Sequence, residues 1–217
     1  MNVIQSVGPP PDRYANRIVG AMLRELVKQR ARYTDTLMRT IYTSKDSNPA
    51  AQQRLADKIK ANGALEVKLE PGKRGKYKIY FYDLTGWDIQ REKEIFTYDR
   101  ISDDTNYCLV VNANMLISLG NGHEYKTVNG ARILLISKHV LMRLVQRFDA
   151  RTPADLLKGA ENITSAALEL AGRLGLDEFF EHEHRVEMTQ GATLVLKPDD
   201  KRKVLVAMTI FKRGETT

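Results

Sequence analysis

The chain has 217 residues, of which 42% are hydrophobic, enough to build the core of a medium-sized domain and too many for a largely disordered protein. Lys and Arg outnumber Asp and Glu by 34 to 27, which gives a net charge of +7. This moderate excess favours an acidic partner, such as RNA, DNA or an acidic protein.

The first part of the chain is predicted to be helical. Apolar residues recur at helical spacing from Asp12 to about Thr43, which indicates one long helix or two in line. The remaining positions of this stretch carry seven basic residues, including Arg24 and Lys28. They indicate either a solvated helix face or a face that binds nucleic acid or a partner. After the break at "TSKDSNP", a second helix is predicted from about Ala50 to Ala61.

From Leu65 onward the pattern changes to a period of two, which predicts strands. "ALEVKLE" and "YKIYFYD", joined by the turn "PGKRGK", form a predicted β-hairpin. The turn brings Arg74 and Lys76 beside tyrosines, a combination that can bind single-stranded nucleic acid, although tyrosines are also ordinary strand residues. Further strands are predicted at "EIFTY", "YCLVVNA", "MLISL" and "ARILLIS".

The last third of the chain is predicted to alternate helices and strands. A helix is expected from Ser137 to about Phe148, and another begins with Thr152 as its N-cap and Pro153 at its first position. "ATLVLKP" and "KVLVAMTIF", joined by "DDKR", predict a terminal β-hairpin.

These elements predict an α+β fold: N-terminal long helices, then a mainly antiparallel β-sheet with two helices before the C-terminal β-hairpin. We divide the chain into a helical segment, residues 1–63, for partner binding or oligomerisation, and an α+β core domain, residues 64–217. The core domain would carry the candidate site.

The candidate site is the polar side of the helix that begins after Ser137. At about 100° per residue, His139, Arg143 and Arg147 fall on one side of this helix. The apolar residues fall on the other side: Val140, Leu141, Leu144, Val145 and Phe148. His139 would lie in the first turn, where free backbone N–H groups attract anions and disfavour a protonated imidazole. Lys138, beside it, is assigned to nucleic-acid binding.

A neutral imidazole next to two guanidinium groups suits metal-independent RNA cleavage. In that reaction a base deprotonates the ribose 2′-hydroxyl, the oxygen attacks the adjacent phosphorus, and cations stabilise the phosphorane. DNA is not a substrate because it has no 2′-hydroxyl. The alternative interpretation of the same pattern is a solvated helix face, on which His139 caps the helix or hydrogen-bonds locally.

Cofactors, metals and membranes are not indicated. The chain has no phosphate-binding loop, dinucleotide fingerprint, zinc-protease motif or serine-hydrolase motif, so no cofactor is expected. His182 and His184 of "EHEHR" would share one face of a strand but lack an evident third ligand, and His123 lies in a predicted turn. Cys108 reads as a core residue. With no apolar run of roughly 20 residues and no signal-peptide pattern, we expect a soluble, cytoplasmic protein without a membrane partner.

Two stretches of the chain carry a resemblance to a known family. "ISKHVLMRLVQRFDARTPADLL", followed by "GATLVLKPDDKRKVLVAMTIF", resembles small bacterial toxin-like domains of the RelE, colicin D and EndoU-type ribonuclease superfamily. In these domains a strand leads into a helix with an H-x-x-x-R-x-x-x-R pattern, and a β-hairpin ends the domain. The resemblance covers about residues 131–211 and implies His139, Arg143, Arg147 and Thr209 as site residues. The helices of residues 1–63 and the strands of residues 65–126 depart from the family's minimal pattern.

The leading hypothesis is therefore an RNA-cleaving, toxin-like endoribonuclease of a bacterial or phage defence or conflict system. Its expected partners are RNA or another nucleic acid, a neutralising antitoxin or other protein that contacts the N-terminal helices, and a second copy of the chain if those helices mediate oligomerisation. Two alternatives stay open. One is a non-catalytic module that binds nucleic acid or a protein, and the other is a phage-encoded inhibitor of a host complex.

Overall fold

A computed structural model of the protein describes residues 12–43, 49–61, 64–71, 77–91, 93–95, 107–118, 125–188 and 191–212. Within these ranges the chain forms five helices and eight strands. The helices are α1 (Asp12–Thr43), α2 (Pro49–Ala61), α3 (Lys138–Arg147), α4 (Pro153–Leu174) and α5 (Leu176–Glu181). The strands are β1 (Glu66–Pro71), β2 (Tyr77–Asp88), β3 (Lys93–Ile95), β4 (Tyr107–Ser118), β5 (Tyr125–Ser137), β6 (His184–Met188), β7 (Ala192–Asp199) and β8 (Val204–Lys212).

All eight strands belong to one sheet, so the predicted α+β class is confirmed. The strand order is β1-β2-β4-β5-β8-β7-β6, and β3 pairs with β2 outside this path. The pairs are antiparallel except for β5 with β8, which run parallel over residues 134–136 and 205–207. The N-terminal hairpin, the two helices before the last hairpin and that hairpin itself are all present as predicted.

The prediction of separate strands at "YCLVVNA" and "MLISL" was wrong, because both belong to β4. The polar residues between them do not interrupt the strand. Asn112 donates a side-chain hydrogen bond to Thr85 Oγ1 at 3.0 Å, and Asn114 donates one to Asp83 Oδ1 at 3.0 Å. The pairing with β5 absorbs the irregularity through register shifts on either side of Asn112.

One face of the sheet carries the main hydrophobic core, which α1, α3, α4 and α5 cover. Buried residues of α1 in this core include Val19 and Leu23, and those of α4 include Leu156 and Ile163. The opposite face is covered by α2 over β1, β2 and β4, where Leu55, Ala56 and Ile59 pack on Ile79, Phe81 and Leu116. The first half of α1 is thus part of the same core as the sheet. No helix among the described residues is long and apolar enough to cross a membrane.

The fold holds α3 in place through β5, β8 and α4, in addition to α1, which also packs on it. The helix follows β5 without a loop, and its N-cap Ser137 accepts a hydrogen bond from the Val140 backbone N–H at 3.3 Å. Beyond the short parallel pairing with β5, β8 continues beside α3. The helix α4 approaches closely because position 159 is a glycine: a Cβ there would lie 2.6 Å from Leu144 Cδ1. The orientation of α3's polar side therefore depends on β5, β8 and α4 together.

Candidate functional site

The helix α3 has one buried and one polar side, as the sequence predicts. Val140, Leu141, Leu144 and Val145 are buried, and Phe148, just after the helix, is partly buried. The polar side presents four residues that we call the α3 strip: His139, Arg143, Gln146 and Arg147. His139 lies in the first turn, and Arg147 lies about 12 Å further along the axis at about 1.5 Å per residue.

His139 is exposed to solvent and its ring is in contact with Arg143. The Arg143 Nε–H donates to His139 Nε2 at 3.4 Å, so Nε2 is the acceptor and the imidazole is neutral in this arrangement. The pKa of His139 lies below its ordinary value of 6.5, because partial burial penalises the charged ring and the Arg143 guanidinium repels it. Asp12 opposes this effect, and Arg147 adds a smaller one in the same direction as Arg143.

A chain of hydrogen bonds fixes Arg143. Its Nη1 donates to Gln146 Oε1 at 2.9 Å, and Gln146 Nε2 donates to Asp12 Oδ1 at 2.8 Å. These contacts join the start of α1 to α3 and orient the guanidinium beside the histidine. The bond from Nη1 to Gln146 and the bond from Nε to His139 together use two of the five N–H donors of Arg143. Among the described residues, the other three donors have no protein acceptor, so they can bind an anion.

Arg147 is held differently from Arg143. Its Nη1 donates to the backbone carbonyl of Ile210 at 3.5 Å, and its guanidinium lies over the Phe211 ring, 5.5 Å from the centroid. Both partners belong to β8, at the part of the strand beyond its pairing with β5. Arg147 therefore fastens the end of α3 to β8, and its charge still acts on His139.

Two other predicted residues lie close to α3 in sequence or in the fold. The Lys138 ammonium lies over the ring of the buried Tyr107, 4.9 Å from its centroid. Thr209 is partly buried on β8 and pairs with Val195. Ile210 next to it is part of the core beneath α3, and successive strand residues point to opposite faces, so Thr209 faces away from that core. Among the described residues, Thr209 makes no hydrogen bond to the α3 strip, although Phe211, two residues further along β8, contacts Arg147.

The predicted nucleic-acid-binding residues of α1 are separated from the α3 strip. Arg24 and Lys28 lie about 18 Å and 24 Å further along α1 than Asp12, at about 1.5 Å per residue. Asp12 accepts a hydrogen bond from Gln146 of the strip, so these two cations lie one or more helical turns of α1 beyond that contact. Arg74, Lys76 and His123 lie outside the described residues.

His182 and His184 do not share a strand face. His182 follows α5 and lies 3.9 Å from Glu181, whereas His184 begins β6 and its Nε2 lies 3.2 Å from the Phe179 carbonyl. The prediction that both lie on one strand was therefore wrong, because α5 continues to Glu181. Within the described ranges, no three His, Cys, Asp or Glu side chains are grouped to hold a metal. Cys108 is 1% exposed and belongs to a small apolar cluster with Trp87.

Sequence reasoning identified three residues of the strip as site residues but missed Asp12. Gln146 falls on the polar side of the predicted helix, so its position follows from the helical period. Asp12 lies 134 residues away from Gln146, and nothing in the local sequence pairs them. The contact arises only because α1 packs on α3.

The geometry of the strip provides a neutral imidazole, an adjoining guanidinium with donors available, and a network that fixes both. Such a group can accept a proton while the guanidinium binds an oxyanion. Comparison of the chain with family models, with curated proteins and with solved structures found no match. A function for the chain is therefore inferred from the chemistry of these side chains.

Proposed function

We propose that the α3 strip is the site of a metal-independent endoribonuclease, with His139 as the general base and Arg143 as the phosphate ligand. The observation that supports this proposal most directly is the contact between His139 Nε2 and Arg143 Nε at 3.4 Å. It joins a neutral, solvent-exposed base to a guanidinium cation. The lowered pKa of His139 supports the same role, because the ring stays neutral near pH 7.

The reaction begins when an RNA phosphate accepts hydrogen bonds from the Arg143 N–H groups and the guanidinium moves away from the His139 imidazole. His139 Nε2 then accepts the proton of the ribose 2′-hydroxyl, and the 2′-oxygen attacks the adjacent phosphorus. The bond from phosphorus to the 5′-oxygen breaks, and water supplies the proton to that oxygen. The products are a 2′,3′-cyclic phosphate and a 5′-hydroxyl, and the imidazolium returns its proton to solvent.

Arg143 and Arg147 have different parts in this proposal. The Arg143 guanidinium, which Gln146 holds through Nη1, stabilises the negative charge that grows on the phosphorane oxygens. Arg147 is bonded to Ile210 and stacked on Phe211, so it positions α3 and adds positive potential. The proposal gives Thr209 no chemical role, because no hydrogen bond joins it to the strip among the described residues.

A second candidate function is nucleic-acid binding without cleavage. It is favoured by the number of proton-transfer groups: in the described part of the strip, His139 is the one side chain that titrates near neutral pH. Asp12, a carboxylate that raises the pKa of His139, accepts a hydrogen bond from Gln146. A site with one such group still binds phosphate through Arg143, so binding that persists without cleavage would favour this candidate.

The test is cleavage of RNA by the purified protein and by two histidine variants. His139→Gln removes the base, and His182→Gln makes the same change at a histidine whose side chain is 70% exposed at the end of α5. We expect His139→Gln to lower the cleavage rate by about 100-fold or more, the usual contribution of a general base, and His182→Gln to leave it unchanged. Equal rates for wild type and His139→Gln would refute the catalytic role.

The resemblance of residues 131–211 extends the proposal to a toxin-like protein of a bacterial or phage defence system, acting in the cytoplasm and held in check by a neutralising partner. Induced expression of wild type and His139→Ala in bacteria tests this extension. Growth arrest with loss of intact RNA in the wild type alone would support it. Arrest by both proteins with intact RNA would instead support an inhibitor of a host complex, in which the fold is a scaffold.

A further inference from the structure

Next to the strip, basic and aromatic side chains of α3 and β8 alternate. We call Arg147, Phe148, Phe211 and Lys212 the cation–aromatic patch. The Arg147 guanidinium lies 5.5 Å from the Phe211 centroid, and the Lys212 ammonium lies 5.9 Å from the Phe148 centroid. Each ring therefore meets a cation from the other element. The patch is continuous with the proposed phosphate site, because Arg147 is one helical turn beyond Arg143.

Neither aromatic residue of the patch is fully buried. Phe148 packs against the main core and is partly buried, and Phe211 is partly buried on β8. Lys212 is exposed, and its distance of 5.9 Å from the Phe148 centroid is at the outer limit of a cation–π contact. Since such a contact is weak, a planar ligand can replace the ammonium on the ring while the ammonium turns to a neighbouring anion.

We infer that the cation–aromatic patch stacks the bases of a single-stranded nucleic acid whose phosphate lies at Arg143. Positive side chains that follow the backbone, next to aromatic rings that accept the flat face of any base, are the general means of binding single strands. The α3 strip is about 12 Å long, against a rise of about 3.4 Å per nucleotide in a helical strand, so it spans more than one nucleotide. Bases of a duplex are already paired and stacked and cannot occupy the rings.

This inference rests on the proposed phosphate site but not on cleavage. Neither a stacked base nor a phosphate at Arg143 requires the 2′-hydroxyl. The patch is therefore expected to bind single-stranded DNA as well as RNA, although the proposed reaction cuts RNA alone. A DNA oligonucleotide thus measures the patch separately from the chemistry.

The test measures the affinity of the full chain for a fluorescent single-stranded DNA oligonucleotide and for its duplex by anisotropy. Phe148→Leu and Phe211→Leu remove the aromatic face while keeping an apolar side chain. Phe180→Leu is the matched control, since Phe180 is a partly buried aromatic on α5 that packs edge to face on Phe179. Unfolding curves of all variants establish that each is folded, and Arg147→Lys, which keeps the charge, serves as a second probe if a leucine variant unfolds.

We expect Phe148→Leu and Phe211→Leu to weaken single-strand binding roughly 5-fold to 100-fold each, the usual effect of losing one stacked base, with Phe180→Leu unchanged. We also expect His182→Gln, a change at the exposed histidine that follows α5, to bind DNA as the wild type does. Unchanged affinity in both patch variants, or equal affinity for the duplex, would overturn the inference whatever the cleavage assay shows. Patch-dependent binding without any RNA cleavage would support the patch and refute the ribonuclease.

Discussion

Replacing Arg143 by Met separates a phosphate-binding site from general basic charge. The change removes the guanidinium that contacts His139 and Gln146 and keeps an unbranched side chain of similar helical preference. Arg185→Met is the matched control, because it removes the same charge from an exposed position on the edge strand β6. Any effect of net charge alone should be equal in the two variants.

The structure sets the expected size of the difference. A hydrogen bond to a charged group contributes about 1.5–3 kcal/mol, and the partial exposure of Arg143 reduces this to about 1–2 kcal/mol. The affinity for RNA should therefore fall by roughly 5-fold to 30-fold in Arg143→Met. The plot of log affinity against log salt has a negative slope, and losing one phosphate contact should reduce its magnitude by about 0.7 for a single strand.

The assay is fluorescence anisotropy with a single-stranded RNA whose 2′-hydroxyls are methylated, so that binding is measured without cleavage. Titrations between about 50 and 200 mM salt give both affinity and slope, over the range in which phosphate contacts dominate the salt dependence. If Arg143→Met and Arg185→Met show the same affinity and the same slope, the guanidinium beside His139 does not bind phosphate and the reasoning is refuted.

Three further predictions concern the pH dependence of RNA cleavage, the packing of α4 on α3 and the N-cap of α3. The rate of RNA cleavage should rise with pH through a pKa below the ordinary 6.5 of histidine. Asp12→Asn should move this rise to lower pH, because the Asp12 carboxylate raises the pKa of His139. A pH profile of kcat/KM checks both expectations. Gly159→Ala should lower the free energy of unfolding by about 1–2 kcal/mol, because the added methyl group clashes with Leu144. In the background of Leu144→Ala, where the clash is absent, the same change should be stabilising. Urea denaturation of the wild type, the two single variants and the double variant would show both effects. Ser137→Ala should cost about 1 kcal/mol in the same assay and also slow cleavage, because it loosens the turn that carries the histidine; full activity in a destabilised Ser137→Ala would separate the cap from the site.

The features that sequence alone predicted correctly depend on neighbours in the chain. The two sides of α3 follow from a period of 3.6 residues. The start of α4 follows from Pro153 at its first position and from Thr152, which forms a capping box with Asp155. The terminal hairpin follows from two alternating runs separated by a short polar turn. In each case the physical cause acts over a few residues, so a local pattern is enough.

The features that sequence reasoning missed depend on contacts between distant segments. The parallel pairing of β5 with β8, the hydrogen bond between Asp12 and Gln146, and the bond from Arg147 to Ile210 all join residues more than 60 positions apart. A helical wheel treats Arg143 and Arg147 as equivalent cations. The fold makes them different, because β8 holds one and leaves the other beside the imidazole.

The chemical identity of the RNA ends tests the central claim most directly. If His139 activates the 2′-hydroxyl, mass spectrometry of the fragments should find 2′,3′-cyclic phosphate on one side of each cut and 5′-hydroxyl on the other, and a single 2′-deoxy substitution at the cut site should abolish that cut. Fragments with 5′-phosphate and 3′-hydroxyl, or cleavage that survives the 2′-deoxy substitution, would contradict the account.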